Sequence, residues 1–431
     1  MTSATIADAD WLREPGLQAL LAVLNADGEE ARIAGGAVRN ALLGQAVTDI
    51  DVATTTPPDE TTRRAEAAGF KVVPTGYEHG TVTVVAKGKP YEVTTLRADV
   101  ETDGRRARVV FGRDWKSDAE RRDFTINALY ADADGRVVDL VGGLDDLNSR
   151  TLRFIGSAET RIREDYLRIL RFFRFFAWYG SGRPDAEGLK ACARLKEGLS
   201  QLSAERVWSE LRKLLSAPDP SRALLWMRTT NALTMVLPES EKWGIDTIHP
   251  LMAVEQALSW PPDPLLRLAA ILPPDAGRLK ALAARLRLSK AEAACLAAWA
   301  ETPLPDPALS EADFAKLIYR GSPAGVDKRL RLALANARAR AAEDDKALIE
   351  AAGFQRLLDI LGRWQRPALP VKGKDLVAAG HAPGEELGAL LAKLEQAWID
   401  SGFKMTRKEL LEKAARCLPS EHAEGEGGPE R

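Results

Sequence analysis

The stretch RIAGGAVRNALLGQAVTDIDVAT, residues 32–54, decides how the first part of the chain folds. Its β-like opening meets two glycines, Gly35 and Gly36. A short apolar helical pattern follows, closed by Gly44, and DIDVAT reads as a second strand running into Pro57 and Pro58. Residues two apart in a strand project to the same face, so Asp49 and Asp51 are expected to point together while Ile50 and Val52 point into the core. Two carboxylates that close repel each other unless a cation lies between them. Mg2+ suits the arrangement, because it is bound through one or two carboxylates plus substrate phosphates. The glycine pair lets backbone N–H groups approach an anion, the helix N-terminus adds partial positive charge, and Arg39 sits one turn in. A D-x-D standing alone reads as a solvated strand edge or turn; combined with the glycine pair, helix and arginine, it fits a nucleoside triphosphate carried with metal ions.

Outward from this stretch the first 155 residues continue as mixed α/β. A helix is expected from about Asp59 to Ala68, and FKVVP, GTVTVVAKG and YEVTTLR supply β-branched alternation punctuated by Gly and Pro. Residues 98–117 are charged and glycine-containing, the texture of a mobile loop. From about Glu159 strand signals stop and helical periodicity runs to residue 415, broken at proline-containing joints near 217–220, 261–264, 303–307 and 367–370. The expected fold is an α/β head, a small mixed sheet with helices, followed by an all-α C-terminal half with no fixed-period repeat.

At 431 residues the chain has room for roughly two to four domains. With 45% hydrophobic and 28% charged residues, no apolar run able to span a bilayer and no leader-like opening, it is expected to be cytoplasmic. Cys192, Cys295 and Cys417 are scattered, and His79, His249, His381 and His422 do not cluster with them at ligand spacing, which argues against a zinc site or disulfide framework. A net charge of −2 taken alone argues against a nucleic-acid partner. The average hides segregation, however: Arg150, Arg153, Arg161, Arg163, Arg168, Arg171 and Arg174 crowd one segment, so a basic cleft fits inside a neutral protein.

GGAVRN, LLG and DIDVAT together resemble the first motif of the class II nucleotidyltransferases, the CCA-adding enzymes and bacterial poly(A) polymerases of the DNA polymerase beta superfamily. Four further motifs follow in the family's order: RRDFTINAL (121–129), VDLVGGLDDLNSRTLRFIG (138–156), REDYLRILRFFRF (163–175) and LSAERVWSELRKLL (202–215). Over the C-terminal half only GKDLVAAGHAPGEELGALL and TRKELLEKA are family-like, and they carry no chemistry of their own. The resemblance implies a nucleotidyltransferase head at 1–155, a base-selecting helical neck at 156–225, a helical body at 226–370, a tRNA-binding tail at 371–420 and a disordered end at 421–431.

The resemblance also implies roles. Asp49 and Asp51 would hold two Mg2+ ions, and Gly35, Gly36 and Arg39 would cradle the triphosphate. Glu92 is a candidate third carboxylate, or an ordinary strand glutamate. Arg122 would meet phosphate, and Asp123 and Asn127 the sugar, although Asp123 followed by Thr125 also suits a helix cap. Asp165 and Arg168, three apart, either form a helical ion pair or read the Watson–Crick edge of the incoming base, with Arg171 and Arg174 continuing the face toward triphosphate or primer. A carboxylate accepts from the exocyclic amino group that cytosine and adenine share, and guanidinium supplies a planar fork of donors. The aromatics from Phe172 to Tyr179 at helical spacing read as core rather than a stacking platform.

The expected activity is template-independent addition of CCA to the 3′ end of tRNA from CTP and ATP, with release of pyrophosphate. The expected partners are the acceptor arm and 3′ end of tRNA, with no membrane and no protein partner implied. The rivals are a poly(A) polymerase, a CC-only or A-only enzyme, and a non-catalytic RNA-binding protein. TGYEHGTVTVVAKGKPYEVTTLR lacks the basic Gly-Arg-Arg-Phe element of the first rival, ETDGRRARVVF looks intact against the second, and both acids stand against the third. Asn40 departs from the family's usual aspartate. Lone His249 in DTIHPLMAVEQAL gives no reason to expect phosphohydrolase activity.

Overall fold

In the computed structural model, which describes residues 4–97, 102–103, 106–107, 110–241 and 244–416, the chain divides into two units, residues 1–241 and 242–431. Cys417, His422 and the 421–431 tail lie outside the described residues, as does most of 98–109. The first unit is built on nine strands: β1 (Ala31–Ala34), β2 (Asp51–Thr54), β3 (Lys71–Val73), β4 (Thr81–Ala86), β5 (Lys89–Thr95), β6 (Thr102–Asp103), β7 (Arg106–Ala107), β8 (Leu129–Ala131) and β9 (Val137–Asp139). Seven of them form one mixed sheet in the order β3-β4-β5-β2-β1-β8-β9, and β6 and β7 make a separate short ladder. Within the large sheet only β2 and β5 run parallel, with Asp51 opposite Glu92. β1 pairs antiparallel with β2, Ala34 opposite Asp51, and with β8 on its other side.

The local reasons follow the side chains. In β4 every second residue, Val82, Val84 and Ala86, is buried and the intervening residues are half-exposed, the alternation of a strand covered on one face. The helices of this unit are α1 (Pro15–Leu24), α2 (Gly36–Leu42), α3 (Pro58–Ala67), α4 (Trp115–Glu120), α5 (Gly143–Asn148), α6 (Ala158–Glu164), α7 (Leu167–Tyr179), α8 (Ala186–Leu195), α9 (Ala204–Leu215), α10 (Ser221–Thr229) and α11 (Ala232–Val236). Leu17, Leu20, Leu21 and Leu24 of α1 are fully buried. α4 begins inside the stretch expected to be a loop, because the Asp114 carboxylate accepts from the Lys116 and Ser117 amides and starts the helix there.

A phenylalanine cluster fastens α7 to the isolated bridge between Phe124 and Phe154. Phe124 lies 4.8 Å from Phe154 and 5.3 Å from Phe175, ring centre to ring centre, and Phe154 stacks on Phe172 at 5.4 Å. Phe172, Phe173, Phe175 and Phe176 are all buried, as core residues at helical spacing should be, whereas Trp178 is exposed and Tyr179 half-buried, so the expected aromatic core stops at Phe176. Fully burying such side chains stabilises by roughly 1.5–3 kcal/mol each, so the position of α7 is set by packing rather than by its arginines.

The second unit contains α12 (Ile248–Ala257), α13 (Pro264–Ala270), α14 (Ala276–Arg285), α15 (Lys290–Glu301), α16 (Glu311–Arg320), α17 (Pro323–Arg340), α18 (Asp345–Arg363), α19 (Gly373–Ala378), α20 (Glu385–Asp400) and α21 (Arg407–Ala415). Its described residues carry no strand, in line with the expected all-α half. One core gathers Tyr319, Leu376, Leu394, Trp398 and Leu410, and a buried ion pair joins Arg267 to Glu255 at 2.6 Å. No described helix is long and apolar enough to cross a membrane.

Candidate active site

Where β1 ends, the chain must turn sharply into α2, and Gly35 does so with φ +63° and ψ −110°. A side chain is excluded there twice: the backbone is left-handed, and a Cβ would stand 3.2 Å from both Arg122 Nη1 and the Asn127 carbonyl. Gly36 opens α2, and a Cβ on it would lie 3.7 Å from Arg39 Nη2. The glycine turn, Arg39, Arg122 and Asn127 therefore meet at one point.

The turn also shortens β2. Once β1 leaves the sheet after Ala34, nothing pairs with the residues before Asp51 on that side, so the strand starts at Asp51 and Asp49 lies in the segment preceding it. The expected common β-face for the two acids is thus corrected: Asp51 is on the strand and Asp49 is not. They nonetheless line one cavity of about 600 Å3, together with Thr48, Thr83, Lys89, Tyr91 and Glu92. Loss of hydration, then the neighbouring Glu92 and Asp49 carboxylates, raise the Asp51 carboxyl above its ordinary value, while Arg122 pulls it down. That excess of negative charge fits a cation. Among the described residues no three acidic or soft ligands already form a metal cluster. Two or three hard oxygens left to be completed by phosphate and water is a donor set that suits Mg2+.

A chain of polar contacts leads from the glycine turn to α7. The Arg39 guanidinium is buried and donates to Asn127 Oδ1, to Asn40 Oδ1 at 3.0 Å and to the Tyr179 hydroxyl at 2.8 Å, with the Tyr179 ring 4.0 Å away. Asn127 in turn donates to Asp123 Oδ1 at 2.9 Å, and Arg171 donates through Nε to Asp123 Oδ2 at 2.7 Å. Burial alone would raise the Asp123 carboxyl; Arg171, Asn127 and the Phe124 amide outweigh it and hold the group below the usual range. Of the two readings of Asp123, a helix cap is not what forms: the short 3₁₀ turn Thr125–Asn127 has Phe124 at its N-cap and no side-chain cap. Arg122 is anchored by Asp118 at 3.2 Å and lies over the Tyr130 ring.

The base-reading segment differs from a single continuous helix. Asp165 is extended, φ −156° and ψ 108°, and separates α6 from α7. Its Oδ1 accepts from the Leu167 amide at 3.0 Å, a local bond that competes with helix continuation, and its Oδ2 accepts from Arg206 of α9 at 2.6 Å. Of the two readings of Asp165 and Arg168, the helical ion pair is therefore not what forms. Arg168 donates to the Arg161 carbonyl at 2.8 Å and pairs with Glu164. Nor do the arginines form an unpaired stripe, since Arg171 meets Asp123 and Arg174 meets buried Glu210 at 2.7 Å.

Tyr179, Asp118, Arg206 and Glu210 carried no readable signal for the contacts they make. Asn40 and Tyr179 flank Arg39, yet Tyr179 is one more aromatic in a run of them, and only its position near the end of α7 turns its hydroxyl to the turn. Asp118, 1% exposed, accepts from Arg121, Arg122 and the Tyr130 hydroxyl, a convergence of α4 and β8 that linear spacing does not show. Arg206 and Glu210 lie four apart within the fifth motif, a spacing that a simple surface helix also has.

Residues 31–153 match the poly A polymerase head domain, and residues 183–243 match a probable RNA and SrmB-binding site of polymerase A. The mitochondrial CCA tRNA nucleotidyltransferase 1 of Danio rerio is 34% identical over 405 residues, covering 92% of this chain and 89% of that one. The CCA-adding enzyme of Streptococcus sanguinis is 43% identical over 218 residues, 50% of this chain and 53% of its own. The structure of the Bacillus stearothermophilus CCA-adding enzyme in complex with CTP aligns with a TM-score of 0.65 at 26% identity, covering 93% of this chain and 96% of that one. A glycine turn, paired acids and a helix tied back to them are thus set in a sequence shared with those enzymes over most of its length, and the chain belongs to the class II CCA-adding tRNA nucleotidyltransferases of the DNA polymerase beta superfamily.

Proposed function

We propose that this chain adds C, C and A in turn to the 3′ end of tRNA from CTP and ATP, releasing pyrophosphate at each step, with Asp49 and Asp51 holding two Mg2+ ions. The observation that carries the reading is the cavity in which Asp49, Asp51 and Glu92 meet beside the glycine turn and Arg122. When bound, such ions lower the pKa of the attacking 3′-hydroxyl and neutralise the charge of the departing pyrophosphate.

The chain's own residues do the rest. Gly35 and Gly36 leave room for the triphosphate against the backbone, and Arg122 and Arg39 supply fixed positive charge there. Asp123 and Asn127, already oriented by Arg171 and Arg39, would face the ribose hydroxyls. Asp165 and Arg168 would read the base: the carboxylate accepts the N4 amino group of cytosine or N6 of adenine, and the guanidinium donates to the adjacent ring nitrogen. Uracil and guanine present an oxygen where the amino group is needed, so they leave the carboxylate unpaired. Arg171 and Arg174 would lie toward the triphosphate or primer backbone. In this assignment residues 1–155 form the nucleotidyltransferase head, 156–225 the base-selecting neck, 226–370 the helical body and 371–420 the tRNA-binding tail.

The test is transfer of labelled CMP from CTP to tRNA lacking its terminus, with Mg2+, by the wild type and by Asp49→Ala. The expected result is loss of transfer in the variant with tRNA affinity largely retained. Full activity in Asp49→Ala would remove the metal assignment.

A further inference from the structure

The cavity holding the acids has a second wall that nothing in the nucleotide assignment uses. In the sheet order, β2 and β5 carry Asp51 and Glu92. The glycine turn and Asn127 lie toward β1 and β8, whereas the cavity extends the other way, along β5 and β4, to Thr83, Lys89, Pro90 and Tyr91, and then to Trp11 and Glu14. Transfer at the α-phosphate proceeds in line, so the attacking hydroxyl must approach from the side opposite the departing pyrophosphate. With the triphosphate at the glycine turn, that side is the β5–β4 side.

We infer that Trp11 and Lys89 seat the last nucleotide of the acceptor RNA, Trp11 stacking on its base and Lys89 meeting the phosphate on its 5′ side. This rests on the nucleotidyl-transfer reading given above. Trp11 sits in the 3₁₀ turn Asp10–Arg13, half-buried on the cavity wall, and its indole N–H has no hydrogen-bond partner among the described residues. No other ring packs against it among those residues, and it lies on the cavity lining. Lys89 is anchored rather than loose: it pairs with Glu14, whose other oxygen accepts from the Tyr91 hydroxyl at 3.3 Å. An ammonium has three donors, so this pairing leaves it able to meet an anion. A cavity of about 600 Å3 has room for a nucleotide.

The chemistry of the reaction favours stacking at this position. The acceptor terminus changes with every addition, from the unprocessed end to C and then to a second C, and each must be accepted. Base edges differ between those states, but every base has a π-face, and stacking on an aromatic ring tolerates any of them. A site that reads one base edge would not accept both the unprocessed end and C. An indole accepts both.

The experiment uses the full chain with tRNA lacking its terminus, in wild type, Trp11→Ala, Trp11→Phe and Lys89→Ala forms. The apparent KM for tRNA should rise about tenfold in Trp11→Ala, be largely restored in Trp11→Phe, and rise in Lys89→Ala with a weaker salt dependence, while the KM for CTP stays within about twofold. In parallel, tRNA with 2-aminopurine as its last nucleotide should lose fluorescence on binding wild type and keep it on binding Trp11→Ala, a readout that mere loosening of the fold would not produce. If the wild type transfers CMP but Trp11→Ala shows an unchanged KM for tRNA and the same quenching, this assignment is overturned while the activity stands. If the wild type itself transfers nothing, the nucleotidyl-transfer reading fails first.

Discussion

Asp123 receives the Phe124 amide, Asn127 and Arg171 on a carboxylate that is 8% exposed, and so ties the second motif to the fourth. The residue types at this site were legible: glycines before a helix, paired acids and arginines at helical spacing each carry a chemical reason in the sequence. Their partners were not. Arg39 spaced one turn from the glycines reads as a phosphate ligand, yet its guanidinium is committed to neighbouring Asn40 and to Asn127 and Tyr179, the last two being contacts that exist only after distant segments pack. Arg168 illustrates the same point, since its acid is Glu164 and not Asp165. For base selection the expected outcome is that Arg168→Ala slows turnover and lowers discrimination between CTP and UTP by about tenfold or more, because one good bidentate contact to a base edge is worth about 1–3 kcal/mol. Competition between the two triphosphates, read by product mass, checks it; a variant that still takes only C and A would remove Arg168 from the template role.

Among the elements, β1 to β5 and the helical texture after residue 159 followed from alternation and punctuation, but β6 to β9, the start of α4 and two further boundaries did not. β2 is shorter than DIDVAT because its neighbour β1 departs at Gly35, and the fourth motif breaks at Asp165 because its carboxylate accepts from the Leu167 amide and from Arg206 of α9. Pairing partners and tertiary ion pairs set both ends, and neither is written in the local pattern. α4 and β8 are joined through Asp118. Burial alone would raise its carboxyl, but Arg122, Arg121 and the Tyr130 hydroxyl hold it below the ordinary range. A carboxylate depressed in the folded state contributes stability that is present above its unfolded value near about 4 and is lost as pH falls through the lower folded value. Asp118→Asn is therefore expected to cost about 3 kcal/mol at neutral pH, and to flatten the fall in stability below about pH 4. Urea unfolding across that range measures both effects, and a variant as stable as wild type at pH 7 would show that the pairing contributes little.

For the whole molecule, a strand-bearing first part and a strand-free remainder were foreseeable from the change of texture near residue 159, but the first compact unit runs on to residue 241 and takes in α6 to α11, because tertiary contacts rather than texture close each unit. A chain of net charge −2 that binds tRNA must do so through local basic surface, with Coulombic contacts to phosphate dominating affinity. Binding of tRNA by the full chain should accordingly weaken by about a hundredfold or more between 50 and 200 mM salt, as filter binding or anisotropy would show, and salt-insensitive binding would contradict a phosphate-led interface. The most direct measurement of the central claim is the sequence of the product made from tRNA lacking its terminus, with Mg2+ and both CTP and ATP present. The expected product ends in C, C, A and grows no further; a long A tail, or retained tRNA binding with no nucleotide added, would contradict it.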